Sequence, residues 1–346
     1  MTDPLSYAAA GVDIDATDRA KEAMAASLET SDPRVLNRIG AFASLFDASF
    51  PGYEHPVLVL KTEEPGSKQL LAIREGRIAS LCEDMVHHLI NDIIVMGAEP
   101  LSVQDAVICG SLEPEVITAI VDGVAKACRA QGCTLTGGET SIQPGVLPAG
   151  AYVLTSSIVG VAEKARIIDG SAIRPGDVVL SLPSSGLHTN GYTLVRALLD
   201  RDPSLAGRPV GKATFLEAIL VAHRCYYKPL KGLFADVGLH GMAHITGGGI
   251  EGNLGRVLPS SVDAVIRLGA LEVPEVFGVI RETGNIDDAE MLRTYNLGAG
   301  LLAVVAADAV DRVRAHLDTE RCPATIIGEI VGSGTGAVRF DGRLAW

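Results

Sequence analysis

Short apolar runs, each bounded by Gly, Pro or polar residues, recur along the chain at residues 57–60, 151–161, 177–182, 264–268 and 301–306. Runs of this length, rich in β-branched side chains, predict strands. Between them, apolar positions repeat with helical spacing over residues 83–96, 113–130, 191–200, 214–223 and 308–317, and Gly97 and Gly132 stand where the first two helices must stop. The mixture predicts an α/β or α+β fold. A polar stretch at 164–174 leads into the turn Pro175-Gly176-Asp177, which marks a domain boundary. Two domains also suit the length of 346 residues.

The helix at 83–96 carries two faces. Met85, Leu89, Ile93 and Met96 form an apolar stripe, whereas Asp84, His88, Asn91 and Asp92 fall together at i, i+4, i+7 and i+8. Such a ladder is either an exposed face laced with i,i+4 pairs or, with Asp105 downstream, a source of one or two carboxylates for Mg²⁺. The adjacent His87 and His88 point about 100° apart on a helix and cannot readily share a transition metal.

Four polar clusters contain glycine beside groups able to bind phosphate, metal or a proton. His244-Ile245-Thr246-Gly247-Gly248-Gly249 leads into a predicted helix and reads either as an oxyanion or phosphate nest or as a tight strand-to-helix turn. Ser184-Ser185-Gly186-Leu187-His188-Thr189-Asn190-Gly191-Tyr192 lies where a strand hands over to a helix, which is where α/β ligands usually sit, and His188 there suits either acid–base work or a helix cap. In Thr136-Gly137-Gly138-Glu139-Thr140, Glu139 can reach a metal or a ribose. The fourth, Thr62-Glu63-Glu64-Pro65-Gly66-Ser67-Lys68, has too few glycines for a Walker A loop and reads as a surface turn, although Glu63 remains a candidate Mg²⁺ ligand.

Charge narrows the choice of partners. The formal net charge is −13, which argues against nucleic acid and anionic membranes, both of which need a positive field. Residues 1–165 hold 11 basic against 22 acidic side chains and the remainder 18 against 20, so the first half suits a metal–nucleotide complex and the second an anionic substrate; solvated surface charge explains the split equally well. Six scattered cysteines without CxxC pairs predict a reduced compartment, and residues 1–18 are acidic and lack the basic-then-apolar layout of a signal peptide. The expectation is a cytoplasmic protein with no membrane span.

Collinear motifs then carry a resemblance across almost the whole chain: Tyr7 with Ala10-Gly11-Val12-Asp13-Ile14-Asp15; Asn91-Asp92 with Gly97-Ala98-Glu99-Pro100-Leu101; Asp105; Gly137-Gly138-Glu139-Thr140; Ser184-Ser185-Gly186 with His188 and Asn190-Gly191-Tyr192; the 244–249 cluster; and Pro274-Glu275-Val276-Phe277. Together they resemble the phosphoribosylformylglycinamidine cyclo-ligases, the aminoimidazole ribonucleotide synthetases. The resemblance implies an N-terminal domain, residues 1–168, that binds ATP and Mg²⁺ and joins its strands to those of a second copy in a barrel-forming homodimer. It implies an α+β C-terminal domain, residues 169–346, that binds the phosphorylated substrate. The implied reaction phosphorylates the formyl oxygen of formylglycinamidine ribonucleotide and closes an imidazole ring.

Residue roles carried over with the resemblance assign Lys68, Asp92, Asp105, Gly137, Gly138, Glu139 and Thr140 to the nucleotide, and Glu63, Asp92 and Asp105 to Mg²⁺. His188, His244 and Asn190 are assigned to catalysis, with His244 either a proton carrier or a buried structural imidazole. Ser185, Gly186, Thr246, Gly247, Gly248 and Gly249 are assigned to the substrate. Several segments depart from the family pattern. Thr62 to Lys68 replaces Thr-Asp-Gly-Val-Gly-Thr-Lys, Gly40-Ala41-Phe42-Ala43 replaces Gly-Gly-Phe-Gly, Ile78-Ala79 replaces His-Asp, and Ser141-Ile142-Gln143 replaces Ala-Glu-Met. These departures leave two further readings open: a divergent paralogue acting on another amide-bearing substrate, and a nucleotide-binding protein with little catalysis.

Overall fold

The computed structural model describes residues 19, 24, 28–37, 41–332 and 334–346. The Tyr7 and 10–15 motifs, and Gly40, lie outside the described residues. The chain divides into two compact units: Met1–Ile90 with Pro100–Val161, and Asn91–Glu99 with Ala162–Trp346. The division at 161/162 falls ahead of the polar stretch expected to carry it, and nine residues from the first half of the chain belong to the second unit.

The first unit is built on a four-stranded sheet in the order β1-β4-β2-β3, with β1 Pro56–Glu63, β2 Glu99–Cys109, β3 Thr134–Ile142 and β4 Tyr152–Glu163. Its helices are α1 Lys68–Arg74, α2 Ile78–Ile94, whose last turn belongs to the second unit, and α3 Pro114–Gln131. Proline at the first position of α3 gives up only an N–H that would be unpaired anyway, and Gly132 ends the helix in the left-handed region at φ 77°. On α2, Leu81, Cys82, Met85, Val86, Leu89 and Ile90 are all buried, so that face forms the core. The helix begins at Ile78, five residues before the position expected from periodicity.

The second unit has a six-stranded sheet in the order β12-β9-β11-β5-β10-β8, where β5 is Val178–Pro183, β8 Leu239–His244, β9 Val262–Arg267, β10 Ala299–Val305, β11 Thr325–Gly332 and β12 Val338–Asp341. Every residue of β10 is buried, as a continuous Leu-Leu-Ala-Val-Val run requires, and it pairs antiparallel with β5 on one side and β8 on the other. A short ribbon, β6 Pro209–Val210 with β7 Ala213–Thr214, precedes the helix α5 Phe215–Ile219. The other helices are α4 Tyr192–Arg201, α6 Tyr227–Leu230, α7 Gly249–Leu254, α8 Glu275–Gly284, α9 Asp288–Thr294 and α10 Val310–Thr319.

The helix expected at 214–223 is therefore only α5, and His223 lies beyond it in a loop. That loop is fixed by a side chain distant in sequence: Asn91 donates from Nδ2 to the Arg224 carbonyl at 2.8 Å and accepts the Tyr226 N–H on Oδ1 at 2.9 Å. All six cysteines are free thiols, and no helix among the described residues is long and apolar enough to cross a membrane.

Candidate functional site

In the first unit, parallel pairing of β2 with β3 sets Asp105 opposite Gly138 and Gln104 opposite Gly137. A cavity of about 640 Å³ opens over this register, lined by Asp105, Gly137, Gly138, Glu139 and Thr140 together with residues 41–44. Asp105 and the 137–140 motif, singled out separately, thus meet at one place. The glycine-containing motif lies within β3, and its neighbour β2 crowds the Gly138 position. A Cβ on Gly138 would lie 1.8 Å from Asp105 Oδ1.

Asp105 is the electrostatic centre of this cavity. Burial pushes its carboxyl up to about 7, opposed by a hydrogen bond from its own backbone. Its Oδ2 is buried and has no hydrogen-bond partner among the described residues. A buried carboxylate oxygen without a donor is costly on its own and is relieved by a cation, while Glu139 stands exposed on the same cavity wall. The donor set is oxygen only, as a hard divalent cation prefers.

Two other residues, Lys68 expected at the nucleotide and Glu63 at its metal, do not line this cavity. Lys68 is fully buried, with its ammonium 2.8 Å from Asp84, so the charge expected at a phosphate is neutralised inside the first unit. Desolvation lowers the Lys68 pKa and the Asp84 carboxylate opposes that shift. Glu63, expected as a metal ligand, instead pairs with Lys61 at 2.7 Å at the end of β1. The ladder on α2 is not an exposed face either, since Asp84, His88 and Asn91 are all buried.

In the second unit, the loop after β5 and the end of β8 bring the remaining candidates together. His188 sits in the left-handed region at φ 59° and accepts the Ser185 N–H on Nε2 at 3.2 Å. Ser185 donates its hydroxyl to the Ala222 carbonyl at 2.6 Å, and the Gly186 carbonyl accepts from Asn296 at 2.9 Å. Asn190 accepts the Gly247 N–H on Oδ1 at 3.0 Å, and its Nδ2 is buried without an acceptor among the described residues.

The glycine cluster resolves as a turn. Gly247 donates to Asn190, Gly248 to the Arg293 carbonyl at 3.1 Å and Gly249 to the Thr246 carbonyl at 3.1 Å. The Thr246 hydroxyl bonds to Asn253 Oδ1 at 3.3 Å, and Asn253 Nδ2 returns a bond of 2.8 Å to the Gly249 carbonyl. The three N–H groups expected to cradle a phosphate are thus occupied within the protein. Gly249 is required here on two counts, its φ of 61° and the Leu292 carbonyl 1.8 Å from where a Cβ would lie.

Asp92, assigned to Mg²⁺ by the resemblance, has one carboxylate oxygen 2.7 Å from His244 Nδ1, and its side chain is 16% exposed. His244 Nε2 lies 3.0 Å from His223 Nε2, and the His223 ring stacks on His188 with centroids 3.8 Å apart. His223 was not anticipated. A lone histidine at the end of an apolar run carries no spacing signal, and only the folded chain brings it to His188 and His244.

This is a two-unit α/β protein whose first unit carries an acidic, glycine-lined cavity and whose second carries a buried imidazole cluster. Residues 54–162 match the family described as AIR synthase related protein, N-terminal domain, and residues 174–341 match AIR synthase related protein, C-terminal domain; the chain belongs to this family. The phosphoribosylformylglycinamidine cyclo-ligase of Methylobacillus flagellatus is 42% identical over 338 residues, covering 96% of each chain. That of Chromobacterium violaceum is 43% identical over 318 residues, covering 91% of this chain and 92% of the relative. Among solved structures, the hydrogenase maturation protein HypE in complex with ATP shares the fold at a TM-score of 0.66 and 18% identity, covering 95% of this chain and 92% of that one.

Proposed function

We propose that this chain is an ATP-dependent cyclo-ligase that converts formylglycinamidine ribonucleotide to aminoimidazole ribonucleotide. The observation that carries the reading is its end-to-end likeness to curated cyclo-ligases, 96% of each chain at 42% identity. The Asp105–Gly138 register supports it, because the residues that depart from the family pattern leave this pair in place.

The cavity of the first unit fits a nucleotide with Mg²⁺ on this structure's own terms: a buried, unpartnered Asp105 Oδ2, an exposed Glu139, and a glycine wall that admits a ligand close to the backbone. Asp105 and Glu139 would hold the metal. When bound, ATP supplies the phosphoryl group that turns the formyl oxygen into a good leaving group, and Mg²⁺ offsets the charge of its phosphates. The fold relative that carries ATP in its solved structure is consistent with nucleotide use. The chain's own contribution is positioning and exclusion of water. Gly137 and Gly138 keep the cavity wall at backbone height.

The reading includes a homodimer in the cytoplasm. Strand β1 is the edge of its sheet and turns Leu58 and Leu60 outward, 54% and 68% exposed, which is the apolar edge a second copy would cover. The test is ADP release by the purified protein with Mg²⁺, ATP and formylglycinamidine ribonucleotide, with the imidazole product assayed in the same tube. Substrate-dependent ADP matched by aminoimidazole ribonucleotide is expected. ADP release that answers to another amide and not to this substrate would replace the reading with that of a paralogue.

A further inference from the structure

We propose that the Phe42 ring is the platform on which the nucleobase of ATP stacks, and that Asn37 and Ser44 are positioning residues that hold it at the cavity of the first unit. This rests on the reading of that cavity as a nucleotide site and adds which part of it takes the base.

The segment that carries Phe42 is tied down from both sides. Val35 and Phe46 form an antiparallel bridge, Leu36 donates its N–H to the Leu45 carbonyl at 2.9 Å, and Asp47 donates to the Arg34 carbonyl at 2.7 Å. The Arg34 guanidinium lies 5.1 Å from the centre of the Phe46 ring and pairs with Asp32 at 2.7 Å. Asp32 in turn accepts from the Thr134 hydroxyl at the start of β3 at 3.3 Å. Closer to Phe42, Asn37 accepts the Leu45 N–H at 2.8 Å and donates to the Ala43 carbonyl at 2.7 Å. Ser44 then donates its hydroxyl to the Thr136 carbonyl of β3 at 2.6 Å. Gly137 leaves that hydroxyl its room, since a Cβ there would lie 3.3 Å from Ser44 Oγ.

The backbone beside Phe42 is thus fastened to β3, yet its ring is fully exposed. An exposed phenyl is ordinary on an open surface. On a tethered segment in the wall of a cavity of about 640 Å³, it is a flat apolar face presented to whatever the cavity takes.

The lining of that cavity has two chemistries. Asp105 and Glu139 supply carboxylate oxygens, whereas Met24, Leu28, Phe42 and Val121 supply apolar surface. A magnesium nucleotide has the same two parts, a cation with phosphates that needs oxygen ligands and a flat base that gains from an aromatic face. The volume lies within the range of small-molecule sites. With the carboxylates taken by the cation, the base goes to the apolar lining, where Phe42 is the one aromatic side chain among the described residues. A second copy of the chain is the competing occupant. A protein surface laid over Phe42 and this cavity would close off Asp105 and Glu139 without supplying a cation, which disfavours it.

The test is calorimetric binding of ATP and of inorganic triphosphate, each with Mg²⁺, to the whole protein. Phe42 is exposed, so replacing it disturbs no core packing. Phe42→Ala is expected to weaken ATP by roughly tenfold, the scale of one lost base–aromatic stack, and to leave triphosphate unchanged. Phe42→Tyr keeps the ring and should restore ATP binding. Unchanged ATP affinity in Phe42→Ala would overturn the proposal, as would an equal loss for both ligands. So would conversion of a dimer to monomers with ATP binding intact, which would give Phe42 to the second copy.

A spectroscopic variant views the stack directly. The chain has one tryptophan, Trp346, so Phe42→Trp adds a local reporter against the wild-type background. Its fluorescence should be quenched by ATP and not by triphosphate; the same quenching by both would overturn the proposal. Ser44→Ala separates positioning from packing. It should weaken ATP severalfold in otherwise wild-type protein and not at all when Phe42 is already alanine, whereas additive losses would overturn the positioning role. Protein that binds ATP through Phe42 but forms no aminoimidazole ribonucleotide keeps this proposal and loses the cyclo-ligase reading. Product matched to ADP, with ATP affinity indifferent to Phe42→Ala, does the reverse.

Discussion

Gly138→Ala tests the account of the first unit's cavity most sharply. The added Cβ would lie 1.8 Å from Asp105 Oδ1 and 2.4 Å from the Asp105 carbonyl, whereas real Cβ contacts essentially never fall under 3.0 Å. Turning the Asp105 side chain moves Oδ1 but not the carbonyl, so side-chain rotation alone does not relieve the overlap. The carboxylate must retreat by about 1 Å, a displacement on the scale that costs an enzyme roughly 100-fold when it moves a positioning group. Forcing the strands apart costs about 1–3 kcal/mol as overpacking, a fall in Tm of roughly 5 °C for a protein of this size. The assay pairs a thermal melt with kcat/KM measured against ATP. Gly278→Ala, on helix α8 with nothing within 4 Å of the new carbon, is the control and should melt at or slightly above wild type. Wild-type kcat/KM and Tm in Gly138→Ala would refute the claim that the Asp105–Gly138 register shapes the nucleotide site.

Three further outcomes follow from the structure. Lys68→Met leaves the fully buried Asp84 without its cation and should lower stability by about 3–5 kcal/mol in urea unfolding, whereas Lys68→Met with Asp84→Leu should recover much of the loss; equal damage from both would contradict a buried pair. Asp105, with its carboxyl raised to about 7 in the folded metal-free protein and ordinary when unfolded, binds an extra proton in the native state between pH 4 and 7, so stability is full at the acid end of that window and falls as pH rises, by up to about tenfold in the folding equilibrium per pH unit. Asp105→Asn should flatten that slope, which chelator-treated protein unfolded at several pH values will show. Leu58→Lys with Leu60→Lys should convert a dimer to monomers in sedimentation velocity, and an unchanged sedimentation coefficient would remove β1 from the interface.

The sequence discloses those elements whose signal is local. A continuous Leu-Leu-Ala-Val-Val run can only be a strand buried on both faces, and Gly132 stops α3 where its periodicity ends. The misread elements depend on neighbours distant in the chain. The role of Gly138 emerges only when β2 is laid alongside, where its missing side chain leaves room for Asp105. The 214–223 helix stops at Ile219, and Asn91 ties the following loop through bonds to Arg224 and Tyr226 more than 130 residues away in sequence.

The candidate site follows the same division. Asp105, Gly137, Gly138, Glu139 and Thr140 were legible from their motifs, and all of them line one cavity. Lys68 was legible as a cation but not as a buried one, because only the fold supplies Asp84. Three successive glycines signal a tight turn as well as an anion nest, and their N–H groups settle on Asn190, Arg293 and Thr246. His223 could not be read at all, since its meaning lies wholly in its distances to His188 and His244.

The most direct test of the central claim follows one oxygen atom. Formylglycinamidine ribonucleotide carrying ¹⁸O in its formyl group is turned over by the purified protein with Mg²⁺ and unlabelled ATP, and the phosphate is analysed by mass spectrometry. If the protein activates the formyl oxygen by phosphorylation and then closes the ring, each aminoimidazole ribonucleotide formed is matched by one phosphate bearing one ¹⁸O. Imidazole product accompanied by unlabelled phosphate, or ADP release without the imidazole, would contradict the account.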